Sequence, residues 1–441
     1  MSIKLHKECK KRLIQKIAEQ LPSITVRNKL FIDPKSALLF QLAESVPPER
    51  GKIKEELEKY ISENPVSNFL YEYLSEKLYE NQKYDSEVSE TKLVDLDGYQ
   101  DPVKIAHRLI NALESLPWEY MLTIKFENEF SKLFSKNFSE YKLSDSLKII
   151  SPDDNFSKTF PLKSGVEARD RFVSGSSLLD ILQTLDILQT PEWDKNAAYL
   201  QITTKGFIGP YGVTRPLDDA ISTLKKFCGL GIALRLFGVN YRYKNTPFRA
   251  KFLIHQKDGE SWVIKHLYEL DSSISETLVD LIIPSLNGKL DTQSEKVNWI
   301  KYILPSIKTV FSNPEKAKRI LLGAQWLFDS YCGRNELLSF IQVIIVLEIL
   351  LGGVKTNSHG IGLGKLLGNR CAYLIGSNDE QRKELIEDFE KSYDIRSKIV
   401  HQGRNWLSLH ERALFSKLQW MCCRVIQEEV KLLEKNLKND A

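Results

Sequence analysis

Apolar residues recur every three to four positions through most of the last third of the chain, the spacing of helices buried along one face. Asn313-Pro314 opens this region, and the spacing predicts helices near 314–331, 335–351, 361–375, 379–402 and 408–437. In the fourth of these, Leu385, Ile386, Phe389, Tyr393, Ile395, Ile399 and Val400 mark the apolar side. Gly403 follows as a stop, because glycine accepts the left-handed conformation that ends a helix. Ser408-Leu-His-Glu411 has the form of a capping box, which predicts the start of the last helix. Leu337 to Leu351 is apolar nearly all round. It is shorter than the roughly 20 residues needed to span a bilayer and it contains Gln342 and Glu348, so it reads as a buried core helix.

The pattern changes upstream. Between about 100 and 312, Met121-Leu-Thr-Ile-Lys-Phe, Tyr199-Leu-Gln-Ile-Thr-Thr and Phe248-Arg-Ala-Lys-Phe-Leu-Ile read as strands, while Asp218 to Phe237 keeps helical spacing. Residues 1 to about 95 are charged, with helical spacing in Cys9–Leu21, Ile53–Ile61 and Phe69–Leu78, separated by Pro34, Pro47-Pro48 and Pro65. The polar stretch Asn81–Gly98 could serve as a linker, although an ordinary helical lobe packed on the rest of the chain is the commoner meaning of such a region. The expected architecture is an α+β multidomain chain: a helical segment over 1–95, a mixed α/β region over 96–312 that senses or presents a substrate, and an all-α bundle over 313–441. The tandem Asp180-Ile-Leu-Gln-Thr and Asp186-Ile-Leu-Gln-Thr is too short to imply a solenoid.

Composition narrows the function classes. The 441 residues are 42% hydrophobic and 27% charged, enough for a sizeable core. A formal charge of +4 is small for this length, so any nucleic-acid contact must be local. Six scattered cysteines form no CxxC pair and no zinc spacing, which fits a reducing cytoplasm. Lys4, Lys7, Glu8, Lys10, Lys11 and Arg12 interrupt any signal-peptide run. The glycines of 352–368 fail as phosphate loops: His359 and Leu366 stand where a P-loop needs Gly and Ser or Thr, and the dinucleotide pattern fails at Lys365. Lys205-Gly-Phe-Ile-Gly-Pro-Tyr-Gly-Val-Thr ahead of a helix could hold an anion, but a tight turn is the commoner meaning of such a stretch. No cofactor or metal is expected.

The chemistry-bearing stretch is Tyr393-Asp-Ile-Arg396-Ser-Lys-Ile-Val-His401. Arginine is a permanent cation whose planar fork matches phosphate oxygens. Histidine gives and takes protons near neutral pH. Five residues separate them by about 140° on a regular helix, so one copy does not place both on one face. The same spacing recurs at Arg249 and His255, which a strand would hold roughly 20 Å apart, and at Arg404 and His410, which stand beside the site as supporting candidates. Glu348 on an apolar helix needs a partner, and Arg396 is the cation it calls for.

Three segments carry a family resemblance: Val346-Leu-Glu348-Ile-Leu-Leu-Gly-Gly, Gly364-Lys-Leu-Leu-Gly-Asn-Arg370-Cys-Ala-Tyr-Leu-Ile-Gly, and the Arg396–His401 stretch. Together they resemble a HEPN domain of the Apea-like kind, covering about the last third of the chain. Lys205 to Thr214 also resembles the region that precedes such domains. The resemblance implies a helical bundle and a metal-independent ribonuclease that works as a homodimer through its C-terminal helices. Arg396 and His401 would be its catalytic pair, with Glu348 orienting the arginine. Many members carry Asn, Asp or His directly after the arginine, whereas this chain has Ser397. The resemblance further implies RNA as substrate, and antiphage defence with a phage-derived trigger. The rival expectation is a HEPN module that only mediates dimerisation.

Overall fold

Period-two alternation builds the central sheet. In the Trp118–Lys125 strand, Tyr120, Leu122 and Ile124 belong to one core, while Met121 packs in another on the opposite face. The computed structural model describes residues 3–37, 52–85, 87–88, 90–162, 192–212, 214–240, 249–285, 290–352 and 363–440. Six antiparallel strands stand in the order Ser261–Glu269, Lys251–Asp258, Trp118–Lys125, Tyr199–Gly206, Leu147–Ile150 and Glu140–Ser144. The three strands expected from sequence thus lie side by side at the centre. Met121 is paired with Thr203 on one side and His255 on the other.

The Arg215–Ala233 helix packs on the first face of the sheet and carries the contact onward to the C-terminal helices. Its partner there is the Lys318–Cys332 helix, and the approach is close because position 229 has no side chain. Beyond it follow Glu336–Leu351, Leu363–Ile375, Asp379–Gln402 and Leu409–Asn439, close to the spans read from sequence. The chain is therefore α+β with a helical C-terminal region. One apolar cluster runs from Leu122, Leu200 and Phe252 in the sheet through Leu304, Ile307 and Val310 to Phe340, Met421 and Val425. It has no break at the expected boundary of 312/313, because the Gln293–Ser312 helix packs both against the Glu140–Ser144 strand and against Leu409–Asn439.

The N-terminal region forms a second apolar cluster. The three expected helices are present as Lys7–Gln20, Lys52–Tyr60 and Pro65–Asn81. Of the two alternatives for 81–98, the packed lobe describes it better than the linker: Thr91–Lys92 pairs with Thr25–Arg27, and Leu93 and Leu96 are buried. Two apolar anchors in so polar a stretch are too few to show as a period. The Pro102–Glu114 helix, capped by the Asp101 side chain, packs Ile105, Leu109, Ile110 and Leu113 into the same cluster. The expected division at residue 95 thus falls inside this core. The glycine-rich turn after Tyr199–Gly206 is filled from within the protein. The buried Glu72 carboxylate accepts the Tyr211 N–H at 2.9 Å, and a side chain at Gly209 would collide with it. The tandem copy at 180–190, and His359, Gly360 and Gly362, lie outside the described residues.

Two positions in this framework yield measurable expectations. Arg235 ends the Arg215–Ala233 helix with φ 63°, and Phe237 N–H reaches back to the Gly231 carbonyl at 3.0 Å. This is a left-handed helix stop on a residue that bears a Cβ. Arg235→Gly is expected to stabilise the protein by about 1 kcal/mol, read as a raised urea midpoint. His255 is fully buried; its Nε2–H donates to the Pro161 carbonyl at 3.0 Å, and its Nδ1 has no partner among the described residues. Burial pushes its pKa down to about 4, against the opposing pull of that carbonyl. Between about pH 6.5 and that value the unfolded chain binds the proton and the folded chain does not. Stability is therefore fully present above pH 6.5 and falls with acidification, by up to about 3 kcal/mol. Urea titrations at pH 7 and pH 4 should show this loss in the wild type and a smaller one in His255→Gln, which keeps a donor for Pro161.

Candidate functional site

The site forms where the Glu336–Leu351 helix ends against Asp379–Gln402. The first of these helices begins at Asn335, whose side chain accepts the Leu337 and Leu338 N–H groups. Its last carbonyls are met by two arginines: Arg319 Nε donates to Ile349 O at 2.7 Å and Arg319 Nη2 to Leu350 O, while Arg370 Nη1 donates to Leu351 O at 2.6 Å. Cations at a helix C-terminus offset its partial negative charge and satisfy carbonyls that lack helical partners. This fixes the turn that carries Glu348.

The Asp379–Gln402 helix starts at Asn378, whose side chain accepts the Gln381 N–H, and ends at Gly403 with φ 65°. Leu385, Phe389 and Ile395 bury its apolar side. The Leu363–Ile375 helix lies close against it because residue 364 is glycine: a Cβ there would stand 3.0 Å from the Tyr393 ring. Gly364 and Lys365 thus begin a helix and do not form a loop around a phosphate.

Glu348 meets this helix in two places. Tyr393 Oη donates to Glu348 Oε1 at 2.7 Å. Arg396 Nε stands 3.8 Å from the same oxygen, an ion pair that is too long for a hydrogen bond. The expected Glu348–Arg396 partnership is present, but the hydrogen bond comes from a residue that the sequence reading did not assign to the site. Its signal was available, since Tyr393 precedes Arg396 by three residues and so shares its face. Burial, and then the bond to Glu348, push the Tyr393 phenol well above its ordinary pKa, so it remains a donor.

His401 lies in the last turn of the helix, exposed, and its side chain has no hydrogen bond among the described residues. Ser397 is exposed as well. Arg404 is held in the turn that follows: its Nη1 and Nη2 each lie 2.6 Å from an oxygen of Glu411, and its guanidinium stacks 5.3 Å from the centre of Trp406. Burial opposes ionisation of Glu411, but hydrogen bonds from Ser408 and Arg404 outweigh it and hold that carboxyl below its usual range. Arg404 therefore secures the capping box and is not offered to a ligand. His410 is exposed in the first turn of the last helix. The other Arg–His spacing is split by the fold: Arg249 pairs with Glu269 at the surface, whereas His255 is buried.

The arrangement offers a half-exposed guanidinium steered by a nearby carboxylate, and an imidazole open to solvent further along the same helix. The first suits an anionic oxygen and the second a proton transfer. Among the described residues no group of three or more His, Cys, Asp or Glu side chains is placed to hold a metal ion. No described helix is long and apolar enough to cross a membrane. No protein-family model matches this chain, and neither a curated protein nor a solved structure matches it.

Proposed function

We propose that the chain is an endoribonuclease of the HEPN type, cleaving RNA by internal transesterification without a metal. The observation that carries this reading is the 3.8 Å approach of Arg396 to Glu348, two residues far apart in sequence that only the folded helices bring together. In the reaction the 2′-hydroxyl attacks the adjacent phosphorus and the bond to the 5′-oxygen breaks. His401 removes the proton from the 2′-hydroxyl or supplies one to the departing oxygen. Arg396 stabilises the charge that gathers on the phosphorane-like transition state. The separation of about 140° between the two along the helix favours a site completed by a second copy, in which two histidines serve as base and acid. The resemblance extends the reading to a cytoplasmic role in antiphage defence, with residues before 313 receiving a phage-derived trigger.

The test is incubation of the full chain with RNA in EDTA. Fragments ending in a 2′,3′-cyclic phosphate and a 5′-hydroxyl are expected, together with a dimer by analytical ultracentrifugation. RNA left intact without metal sinks the metal-independent reading, and a strict monomer with full activity sinks the composite site. A second reading is a dimerisation module without catalysis. It is favoured by the exposed apolar side chains of Val400, Trp406 and Leu409 around the end of the motif helix.

A further inference from the structure

We propose that Tyr393 is a positioning residue that keeps Glu348 from closing on Arg396 and so leaves the arginine open to an RNA phosphodiester. The inference rests on the ribonuclease reading and assigns a role to a side chain that touches no reacting atom. Glu348 Oε1 takes the Tyr393 hydroxyl at 2.7 Å, and Arg396 Nε waits at 3.8 Å from that oxygen with no hydrogen bond of its own among the described residues. A guanidinium beside a free carboxylate ordinarily closes into a two-pronged pair. Arg404 and Glu411, only a few residues on, do so at 2.6 Å for both prongs. The contrast between the two arginines is the key observation. Arg404 has spent its fork on a carboxylate. Arg396 keeps the steering charge close, and among the described residues its donors are uncommitted.

The hydroxyl is placed by packing and not by Glu348. The Tyr393 ring stacks on Phe389 with centroids 5.5 Å apart, and it lies against Gly364 of the neighbouring helix. The ring is thus held from two sides while the carboxylate comes to it. A closed pair would neutralise the cation and occupy the donors that a phosphate oxygen needs. With the hydroxyl on Oε1, a phosphodiester can take the fork without first breaking a closed, two-pronged pair.

The experiment measures RNA affinity in the His401→Ala protein, which keeps the substrate intact. Adding Tyr393→Phe retains the ring and its stacking and removes only the hydroxyl. Affinity is expected to fall about tenfold, the size of one charge-assisted hydrogen bond lost to a closed ion pair. Adding Glu348→Gln to that protein removes the competing charge and should recover most of the lost affinity, short of the part that its steering of Arg396 contributes. A structural role for the tyrosine would not be rescued in this way. Unchanged affinity in Tyr393→Phe, or a loss that Glu348→Gln does not recover, overturns the proposal. Failure of the ribonuclease reading looks different: the wild type then leaves RNA intact and the His401→Ala protein binds none, or Arg396→Ala binds and cleaves RNA like the wild type.

Discussion

His401→Ala is expected to lower RNA cleavage by about a thousandfold, the usual scale of a lost general acid or base. Stability should change by less than about 0.5 kcal/mol, because the side chain is exposed and has no hydrogen bond among the described residues. The two readouts belong together. Cleavage measured in EDTA and thermal unfolding of the same preparation separate a chemical role from an architectural one. His410→Ala serves as a control, since His410 is also exposed but sits in the first turn of the next helix. It should retain most of the activity. His255→Ala should lose stability, because it empties a buried site, and not chemistry. If His401→Ala cleaves like the wild type, the motif is not the catalytic centre and the dimerisation module takes its place.

Among single substitutions, the largest effect on stability is expected at Gly229. A Cβ at this position would lie 1.8 Å from the Ala324 backbone oxygen and 3.2 Å from Phe328 Cβ. Two terms compete. Alanine is a better helix former than glycine by about 1 kcal/mol, which favours the variant. Overlap with a backbone atom cannot be relieved by turning a side chain, so the Arg215–Ala233 and Lys318–Cys332 helices must move apart in a packed core. That cost is about 3 kcal/mol and it prevails. Gly229→Ala should therefore be clearly less stable in urea, and Gly229→Val more so. An alanine variant as stable as the wild type would mean that this crossing tolerates a wider spacing than its geometry indicates.

Much of the fold was legible because its signals are local. The C-terminal helices carry a long apolar period, and their ends are marked by Asn378, Gly403 and Ser408. The central strands show as short runs rich in apolar and β-branched residues. The edge strand Ser261–Glu269 is harder to read, because it is largely solvated and carries a bulge near Lys265. The Pro102–Glu114 helix has a clear apolar face and an Asp101 cap, yet nothing local tells that it completes the N-terminal core. At the site, the nearness of Glu348 and Arg396 followed from a carboxylate on an apolar helix needing a partner. The hydroxyl of Tyr393 did not, because an aromatic residue at helical spacing reads first as core. The different fates of Arg396 and Arg404 were also hidden, since each lies within reach of a carboxylate and only the fold decides which pair closes.

The unbroken apolar cluster bears on how this chain could be divided. A fragment beginning at Asn313 would lose Leu304, Ile307 and Val310, whose side chains fill the core shared with the last helix, and also the Arg215–Ala233 helix. The helical region is therefore not a cassette that can be cut out and grafted elsewhere. Its concentration in a cell would be tied to the folding of the sheet, and a fault introduced in the strands would be felt as a shortage of the motif helix. Proteolysis that severed the chain near 312 would leave two pieces still holding each other, a nicked protein and not a liberated fragment.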